Sequence, residues 1–129
     1  MSYPTAPKKV LVVCLGNICR SPTVEAVMRS KAQKAGFFLE IDSAGTAARQ
    51  VCDHDFEFFD LILAADQSNL ADLRRRCPDE HAHKLRLFLS DRSLPDPYSG
   101  DEEEFETVLN LAETRCEELI ASWISQPSN

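Results

Sequence analysis

The stretch that decides the fold of this chain is residues 10–22, VLVVCLGNICRSP. Its first four residues form an apolar run that is typical of a buried strand. Cys14 and Arg20 then bracket a short loop, and Ser21 followed by Pro22 predicts a helix start, with Ser21 as the N-cap residue. A loop between a strand and a helix N-terminus can direct its backbone N–H groups at one tetrahedral oxyanion. The order of these residues therefore predicts a phosphate-binding loop.

The residue types at the two ends of this loop suit cleavage of a phosphate monoester by sulfur attack. The loop amides, the helix dipole and Arg20 all favour the thiolate form of Cys14 over the thiol. An arginine guanidinium can bind two phosphate oxygens at once. Cys14 as a buried cysteine at a strand end, with Arg20 as a surface charge, is the alternative, because a chain with five cysteines can match this spacing by chance.

The rest of the chain alternates predicted strands and helices. We expect the first helix to end at Gly36, since glycine readily adopts the left-handed conformation that follows many helices. Further strands are predicted over residues 37–43, 59–65 and 85–89, with a short helix over 68–76 and a long terminal helix. This alternation predicts an α/β fold, an open parallel four-stranded sheet flanked by helices, with the phosphate-binding loop between the first strand and the first helix. The terminal helix carries an apolar stripe that we expect in the core: Phe105, Val108, Leu109, Ala112, Cys116, Leu119, Ile120 and Trp123.

Length and charge limit the classes of protein to which the chain can belong. Its 129 residues predict one domain over residues 1–129, and a formal net charge of −7 argues against nucleic acid or an acidic membrane surface as a partner. Residues 1–9 contain no apolar secretory segment, so we expect a cytoplasmic protein. The five cysteines are an odd number and have no metal-ligand spacing. We therefore expect no disulfide framework. No other pattern in the sequence predicts a metal or cofactor site.

Four segments together resemble the low-molecular-weight protein tyrosine phosphatase family. They are residues 10–22, residues 42–46 (DSAGT), residues 55–70, and residues 96–98 (DPY), and they occur in the family's order over nearly the whole chain. The resemblance implies a phosphotyrosine protein phosphatase, a hydrolase that acts without metal through a cysteinyl-phosphate intermediate.

The resemblance also assigns the catalytic roles. Cys14 is the nucleophile, Arg20 clamps the phosphate, and Asp96 is the general acid that protonates the leaving oxygen and then the base that activates water. From the residues alone, Asp96 between two prolines is also compatible with a simple turn residue.

Further roles follow from the same resemblance. It implies that substrate and phosphate contact Leu15, Gly16, Asn17, Ile18, Cys19, Arg20 and Tyr98. It implies that Asn17, Ser21 and Ser43 support the loop, and that Cys19 can form a reversible disulfide with Cys14. Caps, packing or, for Cys19, an inert small residue are the alternatives.

Ile18 and the cysteine spacing bear on the substrate. The family's phosphoarginine phosphatases have threonine at the position of Ile18, and the related arsenate reductases need further cysteines downstream. Here Cys52 and Cys77 do not form a closely spaced pair. The resemblance therefore favours phosphotyrosine.

The chain departs from the family near residues 46–51, where the family's variable loop and a sheet-covering helix have no counterpart. From this internal deletion we expect exposed apolar sheet surface and therefore a homodimer or higher oligomer. We also expect the deletion to remove part of the wall of the substrate-binding slot. A weakly active or non-catalytic phosphate-binding paralogue, and less favoured an arsenate reductase, therefore remain alternative functions.

Overall fold

The computed structural model describes residues 7–14, 20–45, 51–95 and 102–125. In chain order the elements are β1 Lys9–Cys14, α1 Arg20–Lys34, β2 Glu40–Gly45, α2 Asp53–Phe58, β3 Leu61–Ala64, α3 Gln67–Arg76, a 3-10 helix at Asp79–Lys84, β4 Leu85–Leu87 and α4 Glu102–Ile124. The predicted alternation of strands and helices is confirmed. The short helix α2 and the 3-10 helix are additions that the sequence pattern did not predict, because six residues are too few to display a helical period.

The four strands form one parallel sheet in the order β2-β1-β3-β4. The chain passes from β1 to β2 on one side and then returns across β1 to β3 on the other side. The carboxyl end of β1 is therefore a topological switch point, where open α/β sheets bind their ligands. Cys14 is the last residue of β1 and lies opposite Gly45, the last residue of β2.

Helices α1 and α4 cover the first face of the sheet. Val24 and Met28, one turn apart on α1, are fully buried, and Trp123 of α4 is 1% exposed. The ring of Trp123 stacks on that of Phe37, with centroids 6.1 Å apart. Among the described residues, no helix is long and apolar enough to span a bilayer.

Helices α2 and α3 cover the second face. Leu11 and Ile62 of the sheet are fully buried there beneath Phe56 of α2 and Leu73 of α3. The expectation of exposed apolar sheet surface is therefore wrong for the described residues, because α2 lies within the shortened connection and covers this face. The exposed large hydrophobic residues of the described chain all lie outside the strands: Phe38, Phe105, Leu109 and Ile124.

The ends of α1 differ in how well they were predicted. Gly36 has a φ of 70°, and Phe37 N–H donates to the Ala32 carbonyl at 2.9 Å, so the glycine ends this helix as predicted. At the other end α1 begins at Arg20, so Ser21 lies inside the first turn. The prediction of Ser21 as the N-cap is wrong, and its hydroxyl contacts Cys14 and a β2 carbonyl instead.

Other predicted elements also differ in their bounds or burial. The strands predicted over 59–65 and 85–89 are shorter, at Leu61–Ala64 and Leu85–Leu87. Strand β2 begins at Glu40, after Phe37 has turned onto Trp123. On α4, Phe105 and Leu109 are 47% and 41% exposed, so the prediction that the whole stripe is core is wrong. The first buried residue of α4 is Val108, which means that the helix begins to pack only after its first turns.

Candidate active site

Buried polar side chains collect at the carboxyl edge of the sheet. Of the five buried polar residues in the described chain, four lie in or beside the segments at this edge: Arg20, Ser21, Ser43 and Asn69. Polar groups are seldom buried unless hydrogen bonds compensate them. Their grouping at the switch point marks this edge as the candidate site.

Cys14 is held at the centre of this edge. It is 3% exposed, and its Sγ lies 3.0 Å from the Ser21 Oγ. Either atom can be the donor, so a thiol can give its hydrogen to the hydroxyl and a thiolate can accept the hydroxyl hydrogen. The Ser21 Oγ is also 3.4 Å from the Ala44 carbonyl, which is a second acceptor for the same hydrogen. The contact therefore suits a cysteine that has to ionise.

Arg20 is the first residue of α1 and is 6% exposed. Its Nη1 donates to the Asp66 Oδ2 at 2.9 Å and to the Leu94 carbonyl at 3.1 Å. The other carboxylate oxygen of Asp66 accepts the Asn69 N–H at 2.7 Å and so caps helix α3. Because both oxygens are engaged, Asp66 is a rigid support that fixes the guanidinium just beyond the end of β3, at the carboxyl edge of the sheet.

The segment that precedes Asp96 is anchored to the same place. Leu94 is 1% exposed, and its N–H donates to the Ala65 carbonyl at 2.7 Å while its own carbonyl accepts Arg20. The Ser93 Oγ accepts the Gln67 N–H at 3.0 Å. These bonds join the end of β3, the start of α3 and the segment that leads to Asp96.

Ser43 lies on β2 and is 7% exposed. Its hydroxyl donates to the Glu25 Oε1 at 2.6 Å, and the Glu25 Oε2 accepts the Arg29 Nη2 at 2.6 Å. Arg29 also donates to the Ile41 carbonyl at 2.8 Å. A chain of polar contacts therefore connects α1 to β2 beside the site.

Four of the predicted site residues are thus brought together or placed side by side: Cys14, Arg20, Ser21 and Ser43. The other predicted site residues lie outside the described residues: Leu15, Gly16, Asn17, Ile18, Cys19, Asp96 and Tyr98. Their roles, and the disulfide of Cys14 with Cys19, stay predictions. Within the described ranges no group of three or more metal-ligand side chains occurs.

Sequence reasoning missed three contributors to this site. The prediction gave no role to Asp66, the Leu94 carbonyl or Glu25. The two partners of Arg20 were missed because they lie 46 and 74 positions from it along the chain. The pattern Asp66-x-x-Asn69 could have indicated a helix cap. Nothing in the pattern indicates that the same carboxylate also binds an arginine.

The remaining described cysteines are different in character. Cys116 is fully buried in the apolar core, and burial raises the pKa of its thiol to about 12. Burial also raises the pKa of the Cys77 thiol, while Cys52 is exposed. Neither Cys116 nor Cys77 therefore has surroundings that favour a thiolate.

Comparison with known proteins adds independent observations. The family model for low molecular weight phosphotyrosine protein phosphatase matches the chain over residues 9–51 and 46–127. A low molecular weight protein-tyrosine-phosphatase of Streptomyces coelicolor is 36% identical over 151 residues, which cover 88% of this chain and 92% of that protein. The human low molecular weight phosphotyrosine protein phosphatase is 34% identical over 150 residues, covering 89% and 95% of the two chains. The crystal structure of a low molecular weight phosphotyrosine phosphatase from Vibrio cholerae superposes with a TM-score of 0.89 at 35% identity and covers 94% of this chain and 99% of that chain.

Proposed function

Because the chain belongs to the low molecular weight phosphotyrosine protein phosphatase family, we propose that it hydrolyses phosphotyrosine in proteins, with Cys14 as the nucleophile. The observation that carries the proposal is a pair of side-chain contacts at the carboxyl edge of the sheet, one buried and one partly buried. One is Cys14 with the Ser21 hydroxyl, and the other is Arg20 with Asp66. A sulfur nucleophile and a fixed guanidinium at one edge of the sheet are the two groups that attack on a phosphate monoester requires.

In the first step the Cys14 thiolate attacks phosphorus in line. An S–P bond forms while the bond from phosphorus to the phenolic oxygen breaks, and Asp96 gives its proton to that oxygen. The Ser21 hydroxyl, 3.0 Å from the sulfur, stabilises the thiolate before attack. In the second step Asp96 takes a proton from water, which attacks phosphorus, and the S–P bond breaks to return the thiolate and inorganic phosphate.

Arg20 supplies the positive charge for both steps. Phosphoryl transfer depends chiefly on positioning and on stabilising the charge of the equatorial oxygens. The Asp66 carboxylate and the Leu94 carbonyl hold the guanidinium in place, so it does not have to be ordered when substrate binds. The backbone amides of residues 15–20 are the other proposed phosphate ligands.

Asp96 is the proposed acid because of its place in the chain. It follows Leu94 by two residues, so the covalent chain keeps it near the anchor that binds Arg20 and the end of β3. Tyr98 and Ile18 are the proposed contacts with the aryl ring. We further propose that the enzyme acts in the cytoplasm, on phosphotyrosine proteins, without metal or cofactor.

The internal deletion near residues 46–51 is part of the proposal. The two parts of the family-model match meet at these residues. In the alignment with the human protein, 89% of 129 residues is about 115, so about 35 of the 150 aligned positions have no residue in this chain. This supports a single domain that has lost one block of the family's fold while retaining the catalytic residues.

We propose assembly into a homodimer or higher oligomer as well. Its support is the exposed pair Phe105 and Leu109, one helical turn apart on α4, in place of the bare sheet surface expected from the deletion. Light scattering at micromolar concentration tests this assembly, and a stable monomer would contradict it.

The catalytic proposal is tested by kinetics on phosphotyrosine, phosphoserine and phosphoarginine peptides and on an aryl phosphate. We expect turnover of the phosphotyrosine peptide and the aryl phosphate, its disappearance in Cys14→Ser, and a fall of about 10²–10⁴-fold in Asp96→Ala. Phosphate binding without turnover would contradict catalysis and indicate a non-catalytic paralogue. Arsenate reduction at the expense of a thiol would indicate the reductase alternative.

A further inference from the structure

We propose that Glu25 is a positioning residue for the nucleophile, acting through Ser43 and the adjacent Ala44 carbonyl on the Ser21 hydroxyl that serves Cys14. The inference rests on the proposed function, since it assigns a residue to the same reaction. It concerns a carboxylate that lies away from the phosphate site and that no motif indicates.

The inference begins with three polar contacts between α1 and β2, which we call the polar ladder. Its members on α1 are spaced four residues apart, so they lie on one face of the helix on successive turns. The contacts are Ser21 Oγ to the Ala44 carbonyl at 3.4 Å, Glu25 Oε1 to the Ser43 Oγ at 2.6 Å, and Arg29 Nη2 to the Ile41 carbonyl at 2.8 Å. The ladder runs beside the apolar stripe of Val24, Met28 and Ala32 on the same helix.

Glu25 is the central member of the ladder and makes its strongest contacts. Its two carboxylate oxygens accept from Ser43 and Arg29, each at 2.6 Å, and its side chain is 19% exposed. Short hydrogen bonds to an ionised acceptor are about twice as strong as neutral ones. The contact of the Ser21 Oγ with the Ala44 carbonyl, by comparison, is long at 3.4 Å and cannot hold β2 in place by itself. Glu25 therefore makes the shortest side-chain hydrogen bond of the polar ladder between α1 and β2, and it adds to the pairing of β2 with β1 in setting the distance between α1 and the end of β2.

That distance bears on Cys14 because, within the described part of the chain, two groups can accept the one hydroxyl hydrogen of Ser21. The sulfur is 3.0 Å away and the Ala44 carbonyl is 3.4 Å away, so the present spacing directs the hydrogen to a thiolate. If β2 moves toward α1, the carbonyl competes for the hydrogen. If β2 moves away, the hydroxyl loses the contact that limits its rotation. Either displacement leaves the thiolate less well stabilised.

The test compares two isosteric substitutions that each remove a carboxylate from an ion pair of α1. Glu25→Gln keeps an oxygen for Ser43 but loses the charge that shortens both contacts. Glu117→Gln is the matched control, because Glu117 binds Lys31 of α1 at 2.6 Å but lies on α4 and is not a member of the polar ladder. The first readout is kcat and KM on an aryl phosphate, and the second is the rate at which iodoacetamide alkylates Cys14. Fragment mass spectrometry separates Cys14 from Cys19 in the labelled peptide.

We expect Glu25→Gln to lower kcat and the alkylation rate about tenfold with little change in KM, the loss that follows when a hydrogen bond to a charged group is weakened. Ser43→Ala should produce the same loss, Ser43→Thr should retain most of the activity, and Glu25→Gln with Ser43→Ala should be no worse than either alone. Glu117→Gln should behave as the wild type.

Several outcomes overturn the inference. Wild-type alkylation of Cys14 in Glu25→Gln would do so, as would an equal loss in Glu117→Gln or additive losses in the double variant. Alkylation does not require turnover, so it decides the role of Glu25 even if no phosphomonoester is a substrate, and the two proposals fail separately. If Glu25→Gln does not fold, the kcat and alkylation rate of Ser43→Ala are compared with those of Ser43→Thr, and equal values for the two variants would contradict the inference.

Discussion

Two cysteines are buried among the described residues, Cys14 and Cys116, and they lie in contrasting surroundings. Cys14 is 3% exposed and Cys116 is fully buried, so burial hardly distinguishes them. Cys14 ends a central strand, 3.0 Å from a serine hydroxyl. Cys116 lies in the middle of α4 among apolar side chains, and desolvation raises the pKa of its thiol to about 12.

The comparison teaches that the neighbours of a buried thiol, and not its depth, decide what it can do. The thiolate of Cys116 would be left in the apolar core, while the thiolate of Cys14 would accept a hydrogen bond at the same edge of the sheet as a cationic guanidinium. Cys116 is therefore a small apolar residue in function. Cys14 has the surroundings of a nucleophile.

The most severe way to break the comparison is to exchange each sulfur for oxygen. We expect Cys14→Ser to reduce aryl phosphate hydrolysis to the background rate, because an alcohol at this position lacks the nucleophilicity of a thiolate. Cys116→Ser should retain the wild-type kcat on the folded fraction. Initial rates measured with stopped aliquots of both variants check this, and turnover by Cys14→Ser would exclude Cys14 as the nucleophile.

The next largest effect is expected at the Arg20 guanidinium, which lies at the same edge of the sheet as Cys14. Arg20→Lys keeps a positive charge but loses the fork held by Asp66 and the Leu94 carbonyl, so we expect kcat to fall about 10²–10³-fold. Arg75→Lys is the control, since Arg75 makes an exposed ion pair with Asp72 at 2.7 Å. Similar kinetics for the two variants would show that the site does not depend on Arg20.

A smaller effect should follow when Cys14 is made to resemble Cys116. Ser21→Ala removes the hydroxyl beside the sulfur, and the loss of a hydrogen bond to a charged group is worth about 1.5–3 kcal/mol, or roughly 10–150-fold in the first chemical step. The rate at which iodoacetamide alkylates Cys14 should fall with the rate of hydrolysis. An unchanged alkylation rate would mean that the hydroxyl does not stabilise the thiolate.

The stability of the fold should respond to the other cysteine. Cys116→Ser places a hydroxyl among apolar side chains, so we expect the free energy of unfolding to fall by about 1–3 kcal/mol. Urea denaturation followed by circular dichroism measures the change. Cys116→Ala is the matched variant, and a larger loss there would assign the effect to the cavity instead of the hydroxyl.

The same thiol should also make the stability of the fold depend on pH in alkaline solution. The Cys116 thiol has a pKa of about 12 in the folded chain against a reference of 9.0, so its contribution to stability is complete below pH 9 and is lost as the pH rises from 9 toward 12. Relative to Cys116→Ala, the wild type should lose up to about 1.4 kcal/mol per pH unit in this range. If the free energy of unfolding had the same pH dependence in the wild type and in Cys116→Ala, the raised pKa of the Cys116 thiol would be contradicted.

Prediction from sequence succeeded where the signal is local. The run 10–22 predicted the buried strand β1 and the helix that follows it, because both are encoded by neighbouring residues, and Gly36 ends that helix as expected, but Ser21 is not its N-cap. It failed for α2, which has only six residues. It also failed for Phe105 and Leu109, because a periodic stripe does not reveal where a helix begins to touch its neighbour.

The sequence by itself determined the first strand, the presence of a helix after it and the candidate nucleophile, since their residues are adjacent and their preferences are local. Only the tertiary structure decided that Asp66 and the Leu94 carbonyl hold Arg20, and that Glu25 holds Ser43 beside the end of β1. Parallel strands bring their carboxyl ends to one edge however far apart they lie along the chain. The partners of Arg20 are therefore set by the order of the strands, which no single stretch of sequence contains.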